Sequence, residues 1–163
     1  MKTQRRFEVM GEDIRKVIEK LQSNQKLLKL LKFSDNHPLS HPDLTQDEID
    51  DMINKNLLIV PKLPDQDPLK DSFVVAVLDS YEVSPNADFK NAVLRFQVVC
   101  PLDRWIINGT SLRPYLILNE IDKMFNEQKL AGIGNLSFIK CENDIYSGYI
   151  GGYTVYYGHY EFN

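Results

Sequence analysis

A chain of 163 residues has room for one folded domain with a proper core and too little for two. Its apolar share of 43% and charged share of 26% are those of an ordinary globular protein, and no apolar run reaches the ~18 residues that a membrane span needs. The net charge of −4 disfavours a nucleic-acid or polybasic membrane binder, and the charges within MKTQRRFEVMGEDIRK interrupt what a signal peptide would need as an apolar run, so a soluble protein made inside the cell is expected.

The charge is segregated. Residues 1–34 hold nine Lys/Arg against four Asp/Glu, residues 35–88 hold twelve acids against three bases, and the remainder has seven of each. Head-to-tail contact between copies and a solvated acidic loop both account for this pattern. Cys100 and Cys141 lie in apolar, strand-like segments without ligand spacing and are expected to be buried free thiols.

From Gly11 to Phe33 there is neither Pro nor internal Gly, and Ile14, Val17, Ile18 and Leu21 recur at helical spacing. Leu27, Leu28, Leu30 and Leu31 make the end of this predicted helix apolar on more than one side. That pattern calls for two covering surfaces, core on one side and a neighbouring subunit on the other. Residues 35–72 are expected to form an irregular, acidic, Pro-rich insertion in which Pro38 and Pro42 forbid a continuous helix. Thr45 and Glu48 have the spacing of a capping box and predict a short helix at 46–55. Pro61, Pro64 and Pro68 predict an extended connection over 61–72 that gains order on assembly.

The remainder reads mostly as sheet. Strands are predicted at 73–78 and 92–100, joined as an antiparallel hairpin, with Leu94, Phe96 and Val98 inward and Arg95 and Gln97 outward. A second long helix is predicted between Ser111 and Gln128, with Pro114 in its first turn and Ile117, Leu118, Ile121, Met124 and Phe125 on its apolar face. Gly132 and Gly134 break the chain before a strand at 136–141, and a Tyr-rich strand at 148–160 closes it. The fold class expected is therefore one α+β domain over residues 1–163, with a mostly antiparallel four-stranded sheet covered by two long helices.

Candidate chemistry is sparse. His37 and His41, flanked by Asp35 and Asp43, resemble metal ligands only in composition, because the intervening prolines remove the helix that would align them. Asp43, Asp47, Glu48, Asp50 and Asp51 lack the pattern of a calcium loop, and Gly148, Gly151 and Gly152 read as turn or bulge positions rather than a phosphate cradle. No catalytic, cofactor-binding or metal-ligating residue is expected. His159 is expected at the surface or an edge. Tyr146, Tyr149, Tyr153, Tyr156, Tyr157 and Tyr160 are unusually dense, and residues 141–163 contain no Lys or Arg, so an interface or sheet face fits them better than a base-stacking platform.

Element order, together with AVLRFQVVCP, the Trp-bearing DRWIINGTSLRP, the helix opening YLILNEIDKMF, the break LAGIGNLSF and the final YSGYIGGYTVYYGHYEF, resembles the tail terminator family of long-tailed phages. LLKLLKFSDNHPLSHPDLT is similar to the stretch by which such proteins leave their first helix. The resemblance implies a non-enzymatic subunit, made in the host cytoplasm and resident in the virion neck. It would close into a ring of six on the tail tube, meet the head connector and let DNA pass without specific binding. Leu27, Leu30, Leu31, Trp105, Tyr153, Tyr156 and Tyr157 are the candidate interface residues, and the acids of 43–71 with Glu120 and Glu127 are candidates to line the channel. The competing expectation is a small enzyme or ligand-binding domain using the acidic and histidine residues of 35–51.

Overall fold

The computed structural model describes residues 6–60, 71–83, 90–130 and 133–159. The chain begins with helix α1 (Arg6–Gln22) and helix α2 (Gln25–Lys32). The single helix expected from Gly11 to Phe33 is thus two. The break is chemical: Asn24 takes an extended conformation, and its side chain accepts a hydrogen bond from the Leu27 N–H, which caps a new helix and ends the old one. The capping box forms as expected, with Thr45 accepting from Glu48 N–H and Glu48 accepting from Thr45 N–H, but the helix it opens, α3 (Gln46–Asp51), is shorter than the predicted 46–55.

After α3 comes a short strand, β1 (Leu57–Leu58), inside what composition marked as irregular loop. It pairs in parallel with the first residues of β2 (Phe73–Val83). β2 pairs antiparallel with β3 (Lys90–Pro101), as the hairpin expectation required; its loop, and most of the Pro-rich 61–72 connection, lie outside the described residues. A small hairpin, β4 (Ile106–Ile107) and β5 (Ser111–Leu112), carries the chain into helix α4 (Arg113–Phe125). The expected helix ran to 128. It ends earlier because Glu127 takes a left-handed backbone (φ 55°), which reverses the chain into strand β6 (Gln128–Leu130). Strands β7 (Gly134–Ile145) and β8 (Ile150–Gly158) complete the fold.

Among the described residues the sheet has six strands in the order β1-β2-β3-β8-β7-β6, where four were expected, and there are four α-helices, where two long ones and a short one at 46–55 were expected. The additional strands are only two and three residues long, too short to show a period. The four predicted strands are its four long central members; β2, β3 and β7 run beyond their predicted limits, whereas β8 stops within the predicted 148–160.

All helices that cover the sheet lie on one face. α1 packs on β2, α4 on β3 and β8, and α2 packs against α4 between them. Their contact surface is the core: Val17 and Leu21 from α1, Leu27, Leu28, Leu30 and Leu31 from α2, Ile117, Ile121 and Phe125 from α4, and Leu94, Phe96 and Val98 from β3 are all essentially inaccessible to solvent. Arg95 and Gln97 point the opposite way, as the alternation of β3 predicted, and Arg95 pairs with Asp79 on β2. A smaller cluster of Leu58, Phe73, Val75, Val99 and Ile150 sits on that opposite face, where Tyr146 packs on it and bonds Gln97.

Two local features hold this arrangement. Arg113, the first residue of α4, is fully buried, and its guanidinium donates to the carbonyls of Leu30 (2.6 Å), Phe33 (2.7 Å), Asp35 (2.8 Å) and Arg104 (2.9 Å). Gly152 on β8 faces the backbone of β3 so closely that a Cβ there would run into the Val98 carbonyl. Gly151 and Gly152 are therefore regular strand residues that allow close approach, not the turn or bulge positions expected, whereas Gly148 lies in the turn at 147–149 as expected. Arg113→Met should destabilise the domain by about 3–5 kcal/mol, because four carbonyls lose a charged donor in a buried site. Gly152→Ala should cost about 1–3 kcal/mol, since the obstacle is backbone, while Gly148→Ala, with open space around it, should change stability by less than about 0.5 kcal/mol. Urea unfolding of the three variants measures all of these.

Candidate functional site

The helical layer stops short of one flank of the sheet. Cys141 is in register with Val155 of β8, which is itself in register with the buried Phe96 of β3, so Cys141 belongs to the helix-side face. It is nonetheless exposed. Ile145 lies on the same face by the same argument, aligned with Gly151 and Cys100, and is 61% exposed. Between this flank and α4 runs an open groove of about 530 Å³, with Tyr115, Leu118, Asn119, Asp122 and Asn126 of α4 on one wall and Phe138, Cys141, Val155 and Tyr157 of the sheet on the other.

The groove's walls are fixed by polar contacts at its base. Tyr157 donates to Asp122 (2.8 Å), and burial, reinforced by that carboxylate, raises the tyrosine's pKa well above its ordinary value. Asn126 accepts from the Phe138 N–H (3.0 Å), joining the end of α4 to the start of the open strand. Among the described residues no strand lies beside the outer edge of β7 beyond Leu136, since β6 pairs only with residues 134–136. At the other end of the groove Tyr115 and Tyr153 place their hydroxyls 2.9 Å apart, and Trp105 packs against Tyr153. The result is an aromatic and apolar strip with Tyr115 and Phe138 each about half exposed.

The candidate interface residues separate into two groups. Trp105, Tyr153 and Tyr156 are half-buried and reach the surface, while Leu27, Leu30, Leu31 and Tyr157 are core residues of this same chain. The excess apolar surface of α2 is thus covered internally, by α1, α4 and the sheet, and presents nothing to a neighbour. Glu120, a candidate channel-facing acid, is also buried, and is bonded by Asn24, Lys26 and Lys123. Burial acts to raise its pKa, but those three donors outweigh that effect and hold it below the usual carboxylate range. Glu127 is exposed, as are Asp47, Asp50 and Asp51. The groove residues Tyr115 and Phe138, and Ile145 farther along β7, were not singled out by sequence; their apolar character on a strand and a helix is indistinguishable from core until the missing cover is seen.

The histidine region makes its contacts within its own chain. His41 bonds the Asp35 carboxylate and stacks on Phe33 with ring centroids 3.8 Å apart, and His37 Nδ1 lies 2.8 Å from Asn108 Oδ1. The His41 bond is the main cause of a lowered Asp35 pKa. These side chains stitch 33–41 to the 104–108 loop, where Arg104 donates to Ser34 O and Asn108 N–H to Asn36 O. Among the described residues no group of three or more His, Cys, Asp or Glu side chains is placed to hold a metal ion. His159 is half-buried, with Nδ1 2.8 Å from Asn135 O.

The two cysteines differ in environment, contrary to the expectation that both are buried. Burial pushes the Cys100 thiol up to about 12, whereas Cys141 stands in the groove with a pKa raised by partial burial and by the nearby charges of Asp144 and Glu142. Under native conditions iodoacetamide should label Cys141 slowly and Cys100 not at all, with both labelled in denaturant. Mass spectrometry of the intact and digested protein checks the order.

No match is found among curated proteins or among solved structures. The model of the YomW family matches residues 24–158, from the cap of α2 to the last residue of β8. That span includes the whole sheet, α4 and the groove, and the chain accordingly belongs to the family of YomW, a Bacillus phage-associated protein.

Proposed function

We propose that this protein is a non-enzymatic assembly protein of the phage neck, a tail terminator whose copies close into a ring of about six around the DNA channel. In this role it sits in the virion, caps the tail tube and meets the head connector. The observation that carries the reading is the incomplete helical layer: a folded, well-packed domain leaves an aromatic groove and an open strand edge side by side on one flank. A patch of that kind on a soluble subunit marks a contact surface. Membership of a phage-associated family supports the particle context.

The charges suit passage of DNA rather than its capture. Phosphate contacts by Lys and Arg add affinity and slow sliding, whereas Asp47, Asp50, Asp51 and Glu127 are exposed acids available to a lumen. Lys29 and Arg95 are poor probes of this assembly, because each pairs within its own chain, Lys29 with Asp43 at 2.7 Å and Arg95 with Asp79 at 2.9 Å.

Native mass spectrometry and sedimentation over rising concentration should reveal closed multimers, and phage lacking the protein should make tails of uncontrolled length that fail to join heads. A protein that remains monomeric at high concentration, with a deletion phage that assembles normal tailed particles, overturns the reading.

A further inference from the structure

The two carboxylates of α4 are treated unequally. Glu120 is bonded by Asn24, Lys26 and Lys123, whereas Asp122 has the Tyr157 hydroxyl on Oδ1 and, among the described residues, no cation or side-chain donor on Oδ2. Asp122 stands in the α4–β7 groove, where Phe138 meets Tyr157 edge-on, with ring centroids 6.1 Å apart and planes at 74°, and Tyr115 lies on the α4 wall. No lysine or arginine is among the described lining residues. Lys140 and Glu142 of β7 pair with each other, and their register places them on the opposite face of the sheet. Burial, and after it the carboxylates of Asp144 and Glu142, raise the Cys141 thiol, as burial and then Asp122 raise the Tyr157 hydroxyl. The charges felt at both groups are negative. Aromatic rings at right angles beside a carboxylate that lacks a cation suit an organic cation, held by the ring faces and the charge together.

The edge of β7 beside this site is open in a matching register. Tyr146 N–H donates inward to Ile150, so by alternation the N–H and C=O groups of Cys141, Asn143 and Ile145 point away from β8. The same three residues have their side chains on the groove side of the sheet. β6 begins the adjacent row at 134–136, the Asn126 side chain extends it to Phe138, and no described strand continues it. Resting on the reading of this flank as a contact surface, we propose that its occupant is an extended, arginine-bearing segment of a partner protein. The segment adds as a strand to the 141–145 edge of β7 and lays one guanidinium in the groove, against Phe138 and Tyr115 and onto Asp122. Strand addition takes its affinity from main-chain bonds and its specificity from pockets for alternate side chains. Arginine suits the site better than lysine, because a planar, weakly hydrated guanidinium stacks on a ring while it bonds a carboxylate. The positions two before and two after the arginine face the same apolar walls and take aliphatic side chains.

The test uses the full-length protein and a blocked peptide, acetyl-Thr-Val-Thr-Arg-Thr-Val-Thr-amide, beside the same peptide with neutral citrulline in place of arginine. At millimolar concentration the arginine peptide should slow iodoacetamide labelling of Cys141 and amide exchange over 141–145, and the citrulline peptide should bind about tenfold or more weakly. Asp122→Asn, which keeps an acceptor for Tyr157, should lower affinity for the arginine peptide to that of the citrulline one. Phe138→Ala removes a half-exposed wall, leaves the Asp122–Tyr157 bond in place and should weaken binding by a similar factor. The citrulline comparison needs no variant, so it decides the matter even if Asp122→Asn unfolds. Equal binding of the two peptides, unchanged binding by Phe138→Ala, or no protection of Cys141 by the arginine peptide would each overturn the proposal. Cys141 and the 141–145 amides already protected in multimers of the protein alone would place a second copy in the groove and also overturn it. The ring reading is judged separately by the oligomeric state, so either can fail while the other stands.

Discussion

The arrangement of the helical layer depends on one buried cation. Arg113 has no carboxylate in direct contact; its charge is met by carbonyl oxygens, two of which belong to the last turn of α2 and its cap. The carboxy end of a helix carries partial negative charge and unpaired carbonyls, so a guanidinium there satisfies both at once. Burial lowers the arginine's pKa, yet an arginine so placed remains charged. Lysine could not substitute, since only the planar fork, with five donors, reaches Leu30, Phe33, Asp35 and Arg104 together. Because Arg113 is also the first residue of α4, the same bonds set where α4 begins and how it lies relative to α2.

That placement has a consequence for the groove. α4 is held toward α2 and the centre of the sheet, and while it reaches β6 and the start of β7, where Leu136 is buried, it leaves most of β7 beyond Leu136 open on the helix side. The sheet meets this from below. At Gly152 the backbone of β8 approaches β3 more closely than any side chain would permit, while the register shift between Phe138 and Lys140 changes which residues of β7 face the helices. An α4 drawn inward and a β7 left open at its edge make the groove between them.

An exposed flank of this sort is a liability in a protein that acts alone. β7 carries Lys140 and Glu142 and β2 carries Asp79 and Glu82, charges that discourage indiscriminate strand pairing at the two open edges. The groove has no comparable guard among Tyr115, Leu118, Phe138 and Val155. The difference fits a surface kept for a specific partner.

Local chemistry was sufficient for much of the fold. The alternation of Leu94, Phe96 and Val98 set the facing of β3, the Thr45–Glu48 spacing set the start of α3, and the spacing of Ile117, Ile121 and Phe125 set the core face of α4, because each depends only on residues a few positions apart. The sequence also determined that Leu27, Leu30 and Leu31 must be buried, but not against what: an apolar stripe looks the same whether its cover comes from the same chain or another. Arg113 as a buried clamp and Gly152 as a point of backbone contact were likewise beyond local reading. Their roles are defined by partners distant in sequence: Arg113 meets carbonyls some 80 positions earlier, and Gly152 meets Val98. The groove is decided at the same level, since an uncovered surface exists only where packing elsewhere has drawn the available helices away.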